Sequence, residues 1–175
     1  LQYTDNILSC LGLDLNKNIV LDQACAGTDP AKSLKYFRNS KAILVDRDPR
    51  DLYVLAKKYF SKQSYPIPFE NVKDFVTYFF NMHKSIHEII DEDLVLYIKF
   101  EDLVYRYQET SKKIDAFLGL ENCRRSKVFF NPRESMINTQ LFKKFDDIKE
   151  DIAFIEEELA DYLYDFDNFE YNPST

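Results

Sequence analysis

The sequence predicts an α/β domain: three layers, α/β/α, around a central parallel sheet. Three observations lead there. Short apolar runs at 18–22, 41–46 and 94–100 are rich in β-branched residues and have the length of strands buried on both faces. The first two runs are each followed by a segment whose apolar residues recur at helical spacing, and the third leads into another. Two short strands joined through a helix imply a right-handed crossover, and therefore parallel pairing.

In chain order, residues 3–11 read as a short helix with Thr4 or Asp5 as caps and Ile7, Leu8 and Leu11 on one face, ended by Gly12. Asn18-Ile19-Val20-Leu21-Asp22 follows as the first strand. Residues 23–28 form a loop, and Asp29-Pro30 caps a helix over 30–37. The second strand, Ala42-Ile43-Leu44-Val45, turns over Asp46-Arg47-Asp48-Pro49 into a helix through Tyr59. Asp48 is its N-cap and Pro49 its first residue. The prolines of Ser64-Tyr65-Pro66-Ile67-Pro68-Phe69 exclude regular structure.

Residues 70–90 read as a long amphipathic helix. His83 and His87 on it stand four apart, a spacing that can share a metal ion. No third ligand is evident, and two partly exposed imidazoles are the simpler reading. Leu94 to Phe100 is the third strand. Glu101-Asp102-Leu103 then leads into a helix through about Leu118, closed by Gly119. Glu101 and Asp102 are acids at a helix start, better suited to capping and fixing loops than to acid–base chemistry. Residues 148–164 form a last amphipathic helix whose Glu156-Glu157-Glu158 run is a solvated face, and the chain from Asp165 is a loosely ordered tail.

The segment Asp46-Arg47-Asp48-Pro49-Arg50-Asp51, between a strand and a helix, resembles the motif that holds the 3′-phosphate of the donor nucleotide in sulfotransferases using 3′-phosphoadenosine 5′-phosphosulfate. The order strand, Phe100-Glu101-Asp102-Leu103, helix, Phe117-Leu118-Gly119 is similar to a second pattern of that family. Phe129 to Lys143 resembles its late nucleotide loop, with Phe142 where the family has Trp. The resemblance covers roughly residues 18–145 of what reads as a single domain, 1–175. It implies a P-loop NTPase-like fold and transfer of a sulfuryl group to a hydroxyl or amine of a small-molecule or glycan acceptor. Arg47 and Arg133 would bind the 3′-phosphate of the donor, Ser135 would assist, and no metal would be required. The usual base His after the first strand is missing; Asp22 stands there, and reads equally as a turn or cap residue. The family's serine eight residues after the phosphate arginine is Leu55 here.

Nothing in the chain matches the strand–loop–helix that cradles the 5′-phosphosulfate, so activity is expected only if that loop lies upstream of Leu1. Two alternatives stay open: a non-catalytic nucleotide-binding or interaction module of the same fold, and a nucleotide kinase relative. Composition bounds the partners. With 23 basic and 30 acidic residues the net charge is −7, which disfavours nucleic acid and anionic membrane. No apolar run approaches the ~20 residues of a membrane span, and the first ten residues do not read as a signal peptide. Cys10, Cys25 and Cys123 are odd in number and widely spaced, which fits a reduced, cytoplasmic setting better than a disulfide framework or a zinc site. Twelve Tyr and 15 Phe without Trp predict an aromatic core. The oligomeric state is open.

Overall fold

The computed structural model describes residues 2–23, 29–59, 69–84, 93–120 and 130–167, without the side chains of Gln2 and Ala31. Among these residues the chain is mostly helical: α1 (Gln2–Cys10), α2 (Pro30–Leu34), α3 (Pro49–Val54), α4 (Val72–Lys84), α5 (Phe100–Tyr105), α6 (Tyr107–Leu118), α7 (Pro132–Ser135) and α8 (Lys149–Glu158). Two strands, β1 (Ala42–Asp46) and β2 (Val95–Lys99), pair in a two-stranded sheet. They run parallel. The Ala42 N–H donates to the Leu94 carbonyl at their starts, while Asp46 meets Tyr97 and Lys99 at their ends.

This corrects the expected fold. A three-layer α/β/α domain with a central sheet, and with it the P-loop NTPase-like sulfotransferase fold, requires several paired strands; the described residues contain two. The predicted first strand is the clearest failure. Residues 18–22 are irregular, Val20 is 92% exposed and Leu21 41%. Strand preference is a preference for a pleated surface with neighbours, and among the described residues this run has no strand beside it to pair with.

The chain divides into two compact units, one of Leu1–Leu44 with Met82–Leu96 and one of Val45–Asn81 with Tyr97–Thr175. In the first, Leu34, Ala42 and Val95 form a small core with Leu44 against it. Asp29 caps α2 by accepting the Lys32 N–H at 3.0 Å, and Pro30 takes the first turn, as their order in the sequence predicts.

The second unit holds the larger core: Tyr53 and Val54 of α3, Phe75 and Phe79 of α4, Leu141, Ile148, and Ile152, Ile155 and Leu159 from α8 and its end. It is aromatic, as the composition implies. Phe75 lies 5.1 Å from Tyr53 and 5.0 Å from Phe69, ring centre to ring centre. α3 continues into a π-helical turn over Leu55–Tyr59. Beyond its start, Lys57 reaches Asp151 at 2.5 Å, and Lys58 pairs with Asp147. The helix expected after β2 is two helices, broken at Arg106, whose φ of −125° and ψ of 40° are not helical.

Gly119 closes α6 at φ +71°, and the Leu120 N–H turns back to the Asp115 carbonyl at 2.7 Å. A Cβ there would touch nothing within 4 Å, so the cost of replacing it is conformational alone. Gly119→Ala is expected to destabilise the chain by about 1 kcal/mol, read as a lower urea midpoint at unchanged slope. No helix among the described residues is long and apolar enough to cross a membrane.

Candidate functional site

The densest polar constellation is the turn from β1 into α3, and it lies wholly in the second unit. Its geometry follows from local sequence. Asp48 is followed by Pro49, which fits the first helical turn, so the Asp48 carboxylate folds back and accepts the Arg50 N–H at 2.9 Å. The same carboxylate receives the Arg50 side chain as a two-pronged pair, Nε to Oδ1 at 2.9 Å and Nη2 to Oδ2 at 2.7 Å. Its Oδ2 also accepts the Tyr164 N–H at 2.9 Å. Arg50 completes its bonds with Glu156 at 2.8 Å and the Tyr164 carbonyl at 3.2 Å, and its guanidinium lies 4.1 Å from the Phe142 ring centre. Asp48 is fully buried and Arg50 nearly so.

Asp51, one helical turn on, is also fully buried. It accepts the backbone N–H groups of Gln140 at 2.9 Å, Leu141 at 2.6 Å and Phe142 at 3.4 Å, and so caps the turn that Gln140 enters at φ +53°. Burial pushes its carboxyl up to about 6 even though the nearby Arg47 guanidinium pulls it down. Glu101 of α5 accepts the Asp48 N–H at 3.0 Å. Burial, with the Asp48 and Asp51 carboxylates beside it, raises Glu101 to about 7. As the sequence predicts for this helix start, Glu101 fixes a loop. The cap position of α5, however, is Lys99, which makes no side-chain cap bond.

Arg47 stands at the end of β1, where the motif predicts it, but its side chain is already engaged. Its Nη2 donates to the Asn138 carbonyl, it lies 3.6 Å from Asp51, and it packs 5.0 Å from the Phe100 ring centre. Only 15% of the side chain is exposed. The structure thus brings Arg47 against the short helical turn that follows α7, the element carrying Arg133 and Ser135. Arg133 is exposed and Ser135 half-buried, and the Asn131 side chain caps α7 by accepting the Arg133 N–H at 3.1 Å. Asp22 lies in the other unit, exposed, in a turn. His87, Cys25, Tyr65 and the basic cluster Arg124, Arg125 and Lys127 lie outside the described residues. His83 is buried on α4. Among the described residues, no group of three His, Cys, Asp or Glu side chains is placed to hold a metal ion.

No protein-family model, curated protein or solved structure matches the chain. Together with the two-stranded sheet, this overturns the sulfotransferase assignment and the enzyme reading that depended on it. The nucleotide-binding, interaction-module and kinase alternatives, framed on the same fold, fall with it. The strand end, Arg47 and the helix start do stand in the order the resemblance led us to expect. The physical difference is that the arginine's counter-charge and carbonyl acceptor come from within the chain, from Asp51 and Asn138.

Two further surfaces were not legible in the sequence. One is a cleft of about 140 Å³ in the second unit, lined by Ile98, Asp102, Arg106, Glu109, Thr110 and Lys113. Its acids and bases alternate along α5 and α6, and Asp102 accepts the Tyr164 hydroxyl at 2.9 Å. The other is on α1, in the first unit. Thr4 bonds to the Tyr36 carbonyl and Asp5 pairs with Arg38 at 2.8 Å, so these two residues, with the half-buried Leu8, face the rest of the unit. Tyr3, Ile7 and Leu11, one turn apart from each other, are 77%, 42% and 70% exposed. The expected face of Ile7, Leu8 and Leu11 is therefore split: Leu8 is half-buried, while Ile7 and Leu11 face out with Tyr3.

Proposed function

We propose that this chain is a self-associating helical domain, joined to a second copy of itself through the outward stripe of α1. The observation that carries the reading is the orientation of that helix, with Thr4 and Asp5 bonded inward, and Tyr3, Ile7 and, in the turn just past its end, Leu11 exposed. Residues at i, i+4 and i+8 form the ridge that packs against the same ridge of another helix, which suits a two-fold pair. Leu13, Leu15, Val20 and Leu21, also exposed, follow within ten residues of Leu11. Seven large apolar side chains in one short stretch can supply a patch on the order of the ~800 Å² per partner of a standard interface.

A net charge of −7 on each copy opposes association at long range, so the contact must be apolar and must strengthen as salt screens the repulsion. The same charge weighs against a phosphate backbone as partner. The odd, widely spaced cysteines, with Cys10 free and exposed, support a reducing compartment such as the cytoplasm.

Sedimentation of the chain at increasing concentration tests the proposal. The expected result is a monomer–dimer equilibrium that shifts toward dimer between ~0.05 and ~0.5 M salt. The double substitution Ile7→Glu with Leu11→Glu is expected to weaken it at least tenfold while leaving the circular dichroism spectrum unchanged. A chain that stays monomeric throughout, or a variant that dimerises as well as the native sequence, rejects the reading.

A further inference from the structure

Glu101 has no exposed surface and only half of a hydrogen-bonding environment. Its Oε1 accepts the Asp48 N–H, while its Oε2 is buried with no partner among the described residues. The groups that face it are acidic or neutral. From the turn into α3 come the Asp48 and Asp51 carboxylates; from β2 comes Tyr97, its hydroxyl bonded to Asp46; from the chain after α8 comes Tyr164, its hydroxyl bonded to Asp102. Of the two guanidiniums nearby, Arg50 is bonded to Asp48, and Arg47 lies 3.6 Å from Asp51 with its Nε buried and without a partner among the described residues. Three carboxyl groups therefore share two cations, and the one left over is Glu101.

We propose that Glu101 is a proton-operated latch: neutral, it keeps the Asp48 turn closed over α5, and when it gives its proton to water the turn and the segments hung on it open more often. The geometry supplies the reason. An ionised Glu101 leaves its buried Oε2 without a donor among the described residues, so it gains by reaching water, at the cost of the Asp48 N–H contact. Asp48 and Asp51 in turn hold the Tyr164 N–H and the N–H groups of residues 140–142, so opening spreads to both segments. The burial-raised carboxyls of Glu101 and Asp51 place the change near neutral pH; because the two groups interact, their titrations are coupled.

The sign follows from linkage. The closed state holds the proton to a higher pH than the open state does. Opening therefore becomes more frequent as pH rises between the ordinary glutamate range and about 7, and levels off above that.

Amide hydrogen exchange, corrected for its intrinsic pH dependence, reads this directly. Protection at Asp48, Leu141 and Tyr164 is expected to fall at least tenfold from pH 5 to pH 7.5, and in Glu101→Gln, which leaves Asp51 to titrate, the fall is expected to be at least threefold smaller than in the native chain. Protection independent of pH, or an unchanged fall in the variant, overturns the latch. A carbon-13 titration of the Glu101 carboxyl in the native chain decides the matter if the variant does not fold: a midpoint between 6 and 8 supports the proposal, and one at or below 5 ends it.

Discussion

Asp48→Ala is expected to cost about 3–5 kcal/mol of folding stability, the range for breaking one side of a buried ion pair. The substitution removes the cap of α3, both prongs of the Arg50 pair and the acceptor of the Tyr164 N–H. Arg50 would keep Glu156 and the Tyr164 carbonyl, but its guanidinium would lose its closest counter-charge in a site nearly closed to water. Asp48→Asn keeps an oxygen for the cap and lacks the charge, so it should fall between the native chain and Asp48→Ala. Urea unfolding of the three proteins measures this. A loss below ~1 kcal/mol for Asp48→Ala, the worth of an ordinary cap alone, would show that Arg50 and Tyr164 do not depend on the carboxylate.

The second large effect is on pH. Most proteins gain stability as their carboxylates ionise; this one is expected to lose on the order of 3 kcal/mol between pH 5 and pH 8. Glu101 rises from an ordinary value of 4.5 to about 7, and Asp51 from 3.8 to about 6, in both cases because burial penalises the charge. A raised carboxyl binds its proton more tightly in the folded chain, so its contribution is complete below the unfolded value and disappears as pH climbs through the folded one.

Two other acids work the opposite way. The Lys58 hydrogen bond lowers Asp147. At Asp151, burial on its own would raise the carboxyl, but hydrogen bonds from Lys57 and Tyr53 outweigh it and the net direction is down. Their contributions are lost only as pH falls below the ordinary aspartate range, outside the interval in question. Thermal unfolding from pH 4 to pH 9 should therefore show a midpoint that declines from 5 to 8. A flat or rising profile there would mean that Glu101 and Asp51 are not held as described.

What the sequence made legible was local. The Asp48–Pro49 start of α3, the Asp29–Pro30 start of α2 and the Gly119 end of α6 each rest on a few adjacent residues, and each stands where expected. Two strands stand where their apolar runs predict, but the extent of the sheet was not legible in this way, because a run such as Asn18 to Asp22 becomes a strand only beside another strand. The site was half legible. The position of Arg47 at the end of β1 could be read, but the acceptors that occupy it could not, since Asn138 is 91 residues away. Likewise the roles of Asp51 and Glu101 depend on N–H groups 89 and 53 residues distant. The orientation of α1 shows the same limit. The periodicity of Ile7 and Leu11 marks an apolar stripe, and only the bonds of Thr4 and Asp5 reveal which way it faces.

The wide turn at Leu55–Tyr59 holds one residue more than an α-helical turn requires. Excising a single residue there would restore regular pitch and shift the turn's side chains by one position along the helix. The two lysines would then be carried off the two aspartates they now grip. Spacing as well as charge sets these two ion pairs, so a change of length in this stretch is expected to break what an exchange of lysine for arginine would keep.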